Sequence, residues 1–193
     1  MPECSSCSRS RRRCSTAGRD SPVLVLATRN PGKIAELRGL LAAWPWQVRS
    51  LDEMGFDREL EEPGPGYVES AMTKASTVCD ATGLAALADD SGIEVDALRG
   101  WPGPLSARWM GEKASDADRV RGLLDEVARR TPDDRRARYV CVAALARPEA
   151  EPVTARGECL GTLVEEPRGA NGFGYDPVFL SADLGVTFGE ASD

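Results

Sequence analysis

The chain has 193 residues, 41% of them hydrophobic, no histidine and a formal net charge of −7; that is enough for one sizeable core and too little for two ordinary domains. The lack of histidine excludes Ser-His-Asp triads, histidine-ligated zinc and imidazole acid–base chemistry, which leaves carboxylates, lysines or a metal to carry any catalysis. No apolar run reaches membrane-spanning length, and because residues 1–20 hold a net +3, the remaining body at −10 argues against nucleic-acid binding.

Residues 1–20 are rich in Ser and Arg, lack apolar periodicity and are expected to be disordered, with the organised domain starting at Ser21. Cys4-x-x-Cys7 followed by Cys14 suggests a metal knuckle but lacks a fourth ligand. The other cysteines are Cys79, Cys141 and Cys159, two of them in apolar segments. That is not a disulfide framework, and free thiols in a soluble, cytoplasmic enzyme are expected.

Residues 23–27, Val-Leu-Val-Leu-Ala, read as a strand covered on both faces. Asn30 then caps a helix entered at Pro31, with Ile34, Leu37, Leu40 and Leu41 along its apolar face. A turn at Trp44-Pro45 leads to a second strand over 47–51, followed by the acidic, Gly/Pro-punctuated loop Glu59-Leu-Glu-Glu-Pro-Gly-Pro-Gly66. The pattern over 67–80 predicts a helix that sets Lys74 one turn beyond Ser70 and ends at Gly83.

The apolar run 84–88 reads as a buried strand, with Asp89 and Asp90 at its C-terminal end and Ser91-Gly92 turning the chain away. Adjacent strand residues point to opposite faces, so both carboxylates reach one ligand only if the strand has ended. Such an end is where α/β enzymes place Mg2+ ligands and general bases; an Asp-rich turn is the alternative. A short strand over 93–98 and a long irregular loop over 99–111 follow, and a long loop within a compact domain is usually functional. Ser115 or Asp116 starts a helix with Val120, Leu123, Leu124 and Val127 on its apolar face. Two long antiparallel strands over 138–146 and 153–164 join around Pro148-Glu149, and a Gly-rich segment, 169–177, runs into 178–180. The expected fold is α/β: a single domain with a long twisted mixed β-sheet, flanking helices and an active-site cleft at the strand ends.

Thr28-Arg29-Asn30-Pro31-Gly32-Lys33 sits between a buried strand and a helix N-terminus, where free N–H groups and the helix dipole favour an anion. It lacks the spacing of a Walker loop, and a capped helix with an exposed lysine is the alternative. Glu61 and Glu62 matter only if their loop folds over the strand ends to join Asp90 around a hard cation. Gly172-Phe173-Gly174-Tyr175-Asp176-Pro177 offers an aromatic to stack, glycines for close approach and an acidic acceptor; it also reads as a turn with its aromatics in the core.

Thr-x-Asn-x-x-Lys, Ala-Asp-Asp-Ser-Gly, Pro-Gly-x-x-Ser-Ala-Arg at 102–108 and Gly-Phe-Gly-Tyr-Asp-Pro, in this order, resemble the Ham1-type inosine/xanthosine triphosphate pyrophosphatases over about residues 22 to 190. The resemblance implies an ITPase-like fold and a Mg2+-dependent hydrolase that cuts ITP, dITP and XTP to the monophosphate and pyrophosphate, cleansing the nucleotide pool. It also implies a homodimer. Carried over motif by motif, Thr28, Arg29, Asn30, Pro31, Gly32, Lys33 and Lys74 hold the triphosphate. Asp90 accepts the proton and binds the metal with Asp89 and Glu62 or Glu61, while Ser91, Phe173, Gly174, Tyr175 and Asp176 contact the substrate. The family normally continues past residues 187–190 into a lysine, a Ser-His-Arg segment and a final helix, so weaker base selectivity and stability are expected of a chain ending at Asp193. A Maf-like pyrophosphatase is disfavoured by Asn30-Pro-Gly-Lys33, where that group carries Ser-x-Arg-Arg; a nucleotide-binding protein with little turnover is the non-enzymatic alternative.

Overall fold

The computed structural model describes residues 21–61, 66–111, 113–131 and 133–192. Among the described residues, seven strands form one mixed sheet: β1 (Val23–Leu26), β2 (Gln47–Ser50), β3 (Ala85–Val95), β4 (Trp101–Pro102), β5 (Arg136–Arg147), β6 (Ala150–Leu163) and β7 (Phe179–Ser181). The order is β2-β1-β3-β5-β6-β7, with β4 paired to β3. β1 is parallel to β2 and β3, and the other pairs are antiparallel. Three α-helices among the same residues, α1 (Pro31–Leu41), α2 (Tyr67–Thr82) and α3 (Asp116–Arg130), complete the single α/β domain expected from the sequence. The Ser/Arg-rich tail lies outside the described residues.

The buried stripe of α2, Tyr67, Ser70, Ala71, Lys74, Ala75, Val78 and Cys79, recurs at helical spacing. It packs with Val25, Ala86, Ala88, Val140, Val142 and Ala144 into one core. Lys74 falls in that stripe, which is why a lysine is buried here. A second core gathers Ile93 and Val95 of β3, Val120, Leu123 and Val127 of α3, and Val178 and Phe179. α3 starts at a capping box in which Ser115 and Asp118 exchange hydrogen bonds. β3 runs from one core to the other.

Two expectations are corrected. Ser91-Gly92 does not end the strand: β3 continues to Val95, paired with β5 at every position from Ala86 to Val95. The ladder satisfies backbone groups that a turn would have to satisfy locally, and that outweighs the turn preference of Asp-Asp-Ser-Gly. The apolar face of α1 is not buried either, since Leu40 is 75% exposed and no residue of this helix is fully buried. The helix lies at the sheet's edge beside β2, where only part of its surface can be covered.

Gly92 lets the 103–106 turn approach β3: a Cβ there would overlap the Gly103 carbonyl and stand 2.7 Å from Ser106 Oγ. Gly92→Ala is expected to destabilise the protein by about 1–3 kcal/mol, lowering Tm by roughly 2–4 °C for each kcal/mol. Gly157, where a methyl group would meet nothing within 4 Å, is the control; Gly157→Ala should leave Tm within about a degree, and equal shifts for the two variants would refute the crowding argument.

Candidate active site

The cleft begins as a gap in the sheet. On one side β3 pairs continuously with β5, but on the other it meets β1 only at Ala85–Leu87 and β4 only at Glu94 and Val95. Residues 88–93 therefore have an edge with no strand partner among the described residues. The Ser106 hydroxyl accepts from Ile93 N at 2.9 Å, and the Lys74 ammonium donates to the Asp89 carbonyl at 2.9 Å. Asp89 and Asp90 do lie at a strand end, but it is the end of β1, not of their own strand.

Because β3 stays extended, the two carboxylates point to opposite faces, and each takes its own lysine. Lys33 Nζ lies 2.6 Å from Asp89 Oδ2, and Lys74 Nζ lies 3.4 Å from Asp90 Oδ1. All four side chains are largely buried. Burial pushes the Asp90 carboxyl up, with Lys74 and Lys33 opposing it, and the same burial pushes the Lys74 ammonium down. Asp89 Oδ1 is buried without a hydrogen-bond partner.

The turn between β1 and α1 forms the facing wall. Asn30 Oδ1 accepts from the amides of Gly32 (2.9 Å) and Lys33 (3.4 Å), and Asn30 N donates to Thr28 Oγ1 (3.2 Å). These first-turn amides, expected free for an anion, are thus occupied by the cap itself. The Arg29 guanidinium donates to Asp52 Oδ1 (2.9 Å) and to the carbonyls of Phe56 (2.7 Å) and Arg58 (3.3 Å).

The aromatic segment 172–176 closes the opposite side. A Cβ at Gly32 would meet Phe173 Cδ1 at 2.5 Å, so a glycine in the first turn of α1 lets this ring lie against it. Asp176 spends both oxygens inside the protein: Tyr139 Oη donates to Oδ1 and Phe173 N to Oδ2, each at 2.8 Å. Burial raises Asp176, against the pull of these two donors, and raises the Tyr139 phenol. Gly174 N donates to Asp116 Oδ2 at 3.0 Å. Trp109 Nε1 donates to Tyr175 Oη, which donates to the Ser106 carbonyl. The segment is thereby tied to α3, β5 and the 103–109 loop.

Thr28, Arg29, Asn30, Pro31, Gly32, Lys33, Lys74, Asp90, Ser91, Phe173, Gly174 and Tyr175 line one cleft of about 690 Å³, a size suited to a small ligand. Asp89 reaches it through Lys33, and Asp176 lies behind Phe173. Glu61 is exposed and does not line the cleft, whereas its neighbours Glu59 and Leu60 do; Glu62 lies outside the described residues. Sequence reasoning gave no role to Arg108, Asp116, Arg119 or Tyr139, which also line it. Arg108 was visible as the last residue of the Pro-Gly-x-x-Ser-Ala-Arg motif and Asp116 as the start of a helix. Tyr139 sits in a plain strand pattern that carries no such signal.

A family model described as the Ham1 family matches residues 24–193. A dITP/XTP pyrophosphatase from Bacillus licheniformis is 43% identical over 169 residues, 88% of this chain and 86% of its own length. One from Bacillus subtilis is 40% identical over 166 residues, 86% of this chain and 84% of its own. Among solved structures, a HAM1 protein from Coxiella burnetii superposes with a TM-score of 0.80 at 38% identity, over 89% of this chain and 87% of that one.

Asp176→Asn keeps the side chain's shape but leaves its amide facing, or its oxygen withdrawn from, one of two part-buried donors. It is expected to cost about 1–3 kcal/mol in chemical denaturation. Tyr139→Phe, which removes one neutral donor, should cost less, about 1 kcal/mol; a reversed ranking would show that Asp176 does not hold the segment.

Proposed function

The chain belongs to the Ham1 family, and on that premise we propose that it hydrolyses non-canonical purine nucleoside triphosphates, ITP, dITP and XTP, to the monophosphate and pyrophosphate. The observation that carries this reading is the convergence, in one cleft, of the buried Lys74–Asp90 pair, the Lys33-bearing turn and an aromatic ring at Phe173. Cations, a carboxylate and a stacking surface are what cleavage of a triphosphate held by its base requires. The dITP/XTP pyrophosphatase names of the relatives supply the substrate class. With these go a homodimer and a place in the cytoplasm, both resting on family resemblance.

In this reading Lys33 and Lys74 bind the phosphate oxygens, and Thr28 and Asn30 position the chain of phosphates at the first turn of α1. Phe173 and Tyr175 form the base end. Asp90 holds the attacking water and takes its proton, and the bond between the α and β phosphates breaks with pyrophosphate as the leaving group. Asp90 suits that part because burial has already raised its pKa and made it a better base than an exposed carboxylate.

Mg2+ fits the donor set. Asp90, which lines the cleft, offers hard oxygen ligands; Asp89 points to the other face of β3, so its buried, unpartnered Oδ1 would join the same ion only if this stretch of strand shifted. No group of three or more metal-ligating side chains occurs among the described residues, so few protein ligands would hold the ion. When bound, it supplies positive charge against the phosphate oxygens. Glu62 would complete the set in this reading, in preference to Glu61, which does not line the cleft.

The test is pyrophosphate release from ITP, XTP, dITP, GTP and ATP with Mg2+. Release from the first three is expected, with Asp90→Asn lowering kcat by about 10²–10⁴-fold. Tight binding without turnover in the parent protein would defeat the hydrolase reading.

The pH profile has a defined sign. In the metal-free protein Asp90 should ionise at a higher pH than a free aspartate and Lys74 should lose its proton at a lower pH than a free lysine; activity should rise with the first ionisation, its acid limb drawn back down by Mg2+, and fall with the second. Lys74→Met removes the largest influence opposing burial, so the acid limb should move to higher pH; a shift to lower pH on residual activity, or by carboxyl NMR of Asp90, would contradict the assignment.

A further inference from the structure

Arg29 lies among the phosphate-side residues, yet its guanidinium is committed elsewhere. It is the residue between Thr28 and Asn30, so its backbone belongs to the turn between β1 and α1. Its side chain crosses to the segment after β2, where one nitrogen meets Asp52 and the other the carbonyls of Phe56 and Arg58. That segment is anchored at its start by buried Leu51 and Phe56. Past Phe56 the chain turns outward to Glu59 and Leu60, which line the cleft. The Arg29–Arg58 bond and the partly buried Leu60 side chain hold this outer part.

We propose that Arg29 is a positioning residue: by bonding two successive stretches of the 51–61 loop it locks that loop to the phosphate-binding turn and so fixes the wall that Glu59 and Leu60 give the cleft. This rests on the nucleotide pyrophosphatase reading. An arginine suits the task because its planar fork serves several acceptors at once, whereas a lysine ammonium offers a single point charge. The acceptors past Asp52 are backbone carbonyls, so the lock depends on residue 29 and hardly at all on the identity of residues 56 and 58. Removing it should loosen binding of substrate without touching the groups that act on the reacting phosphate.

The full chain carrying Arg29→Met or Arg29→Lys is compared with the parent in two assays. The first is trypsin cleavage after Arg58, whose carbonyl Arg29 holds; the second is steady-state pyrophosphate release from ITP. Arg29→Met is expected to speed cleavage at Arg58 and raise KM by about tenfold with kcat within about twofold, and Arg29→Lys to fall between it and the parent. Unchanged cleavage, or faster cleavage with unchanged KM, overturns the proposal. So does a large fall in kcat at constant KM, the mark of direct contact with the reacting phosphates. Should Arg29→Met fail to fold, Arg29→Lys is judged by the same criteria. A parent that releases no pyrophosphate defeats the functional reading, and the Arg58 cleavage rates then still report whether the lock exists.

Discussion

The structure depends on one strand being longer than its neighbours. β1 stops at Leu26 and β4 reaches only Glu94 and Val95, while β3 runs through both. Six residues in between have a sheet partner on one side alone, and their buried polar groups must find partners elsewhere. The partners are side chains, the Lys74 ammonium on the Asp89 carbonyl and the Ser106 hydroxyl on the Ile93 amide. The same gap that would be a defect in a closed sheet thus recruits a cation and leaves space beside two carboxylates. Continuous pairing with β5 keeps this open edge straight.

The gap also separates two cores, and that division governs how the walls are held. Neither wall is covered by the other core's apolar surface, so polar bonds across long sequence distances tie them down. On one side these are Arg29 to the 52–58 segment; on the other, Asp116 to Gly174, Tyr139 to Asp176 and Trp109 through Tyr175 to Ser106. Phe173 against Gly32 bridges the two. Such directional bonds define positions more sharply than hydrophobic contact does, as a site that must orient a ligand requires.

What could be read from the sequence divides along the same physical line. Local signals were reliable: the Asn30 cap with Pro31, the Ser115 capping start, the stripe that carries Lys74 and the Gly83 stop all depend on neighbours within one or two turns. The four motifs identified the cleft's main residues because each sits where an element begins or ends, or, for the aspartates, beside such an end. The course of β3 was not legible, since Asp-Asp-Ser-Gly is a turn by propensity and a strand only because β5 lies beside it. Nor was the work of Asp176, which in sequence is one more acceptor in a Gly-rich loop and in space is the holder of Phe173. The exposed face of α1 was misread for the converse reason: periodicity records which residues could be buried, not whether anything covers them.

The pairing of Lys33 with Asp89 and Lys74 with Asp90 leaves four buried charges that sum to zero. Under the proposed reading this balance sets the order of events. Each lysine can divide its three donors between carboxylate and phosphate, as Lys74 already serves two acceptors, but drawing it fully to the phosphate would strand a buried anion at a cost of several kcal/mol. A proton on Asp90 would offset that cost, and burial raises its pKa in that direction. Protonation, however, would remove the base. A hard cation held by Asp90 would resolve the conflict, because its charge would keep Asp90 ionised while the lysines turn to the substrate. The two ion pairs would then be a resting arrangement, which accounts for a buried lysine and a buried aspartate at a site where two apolar residues would pack at least as stably.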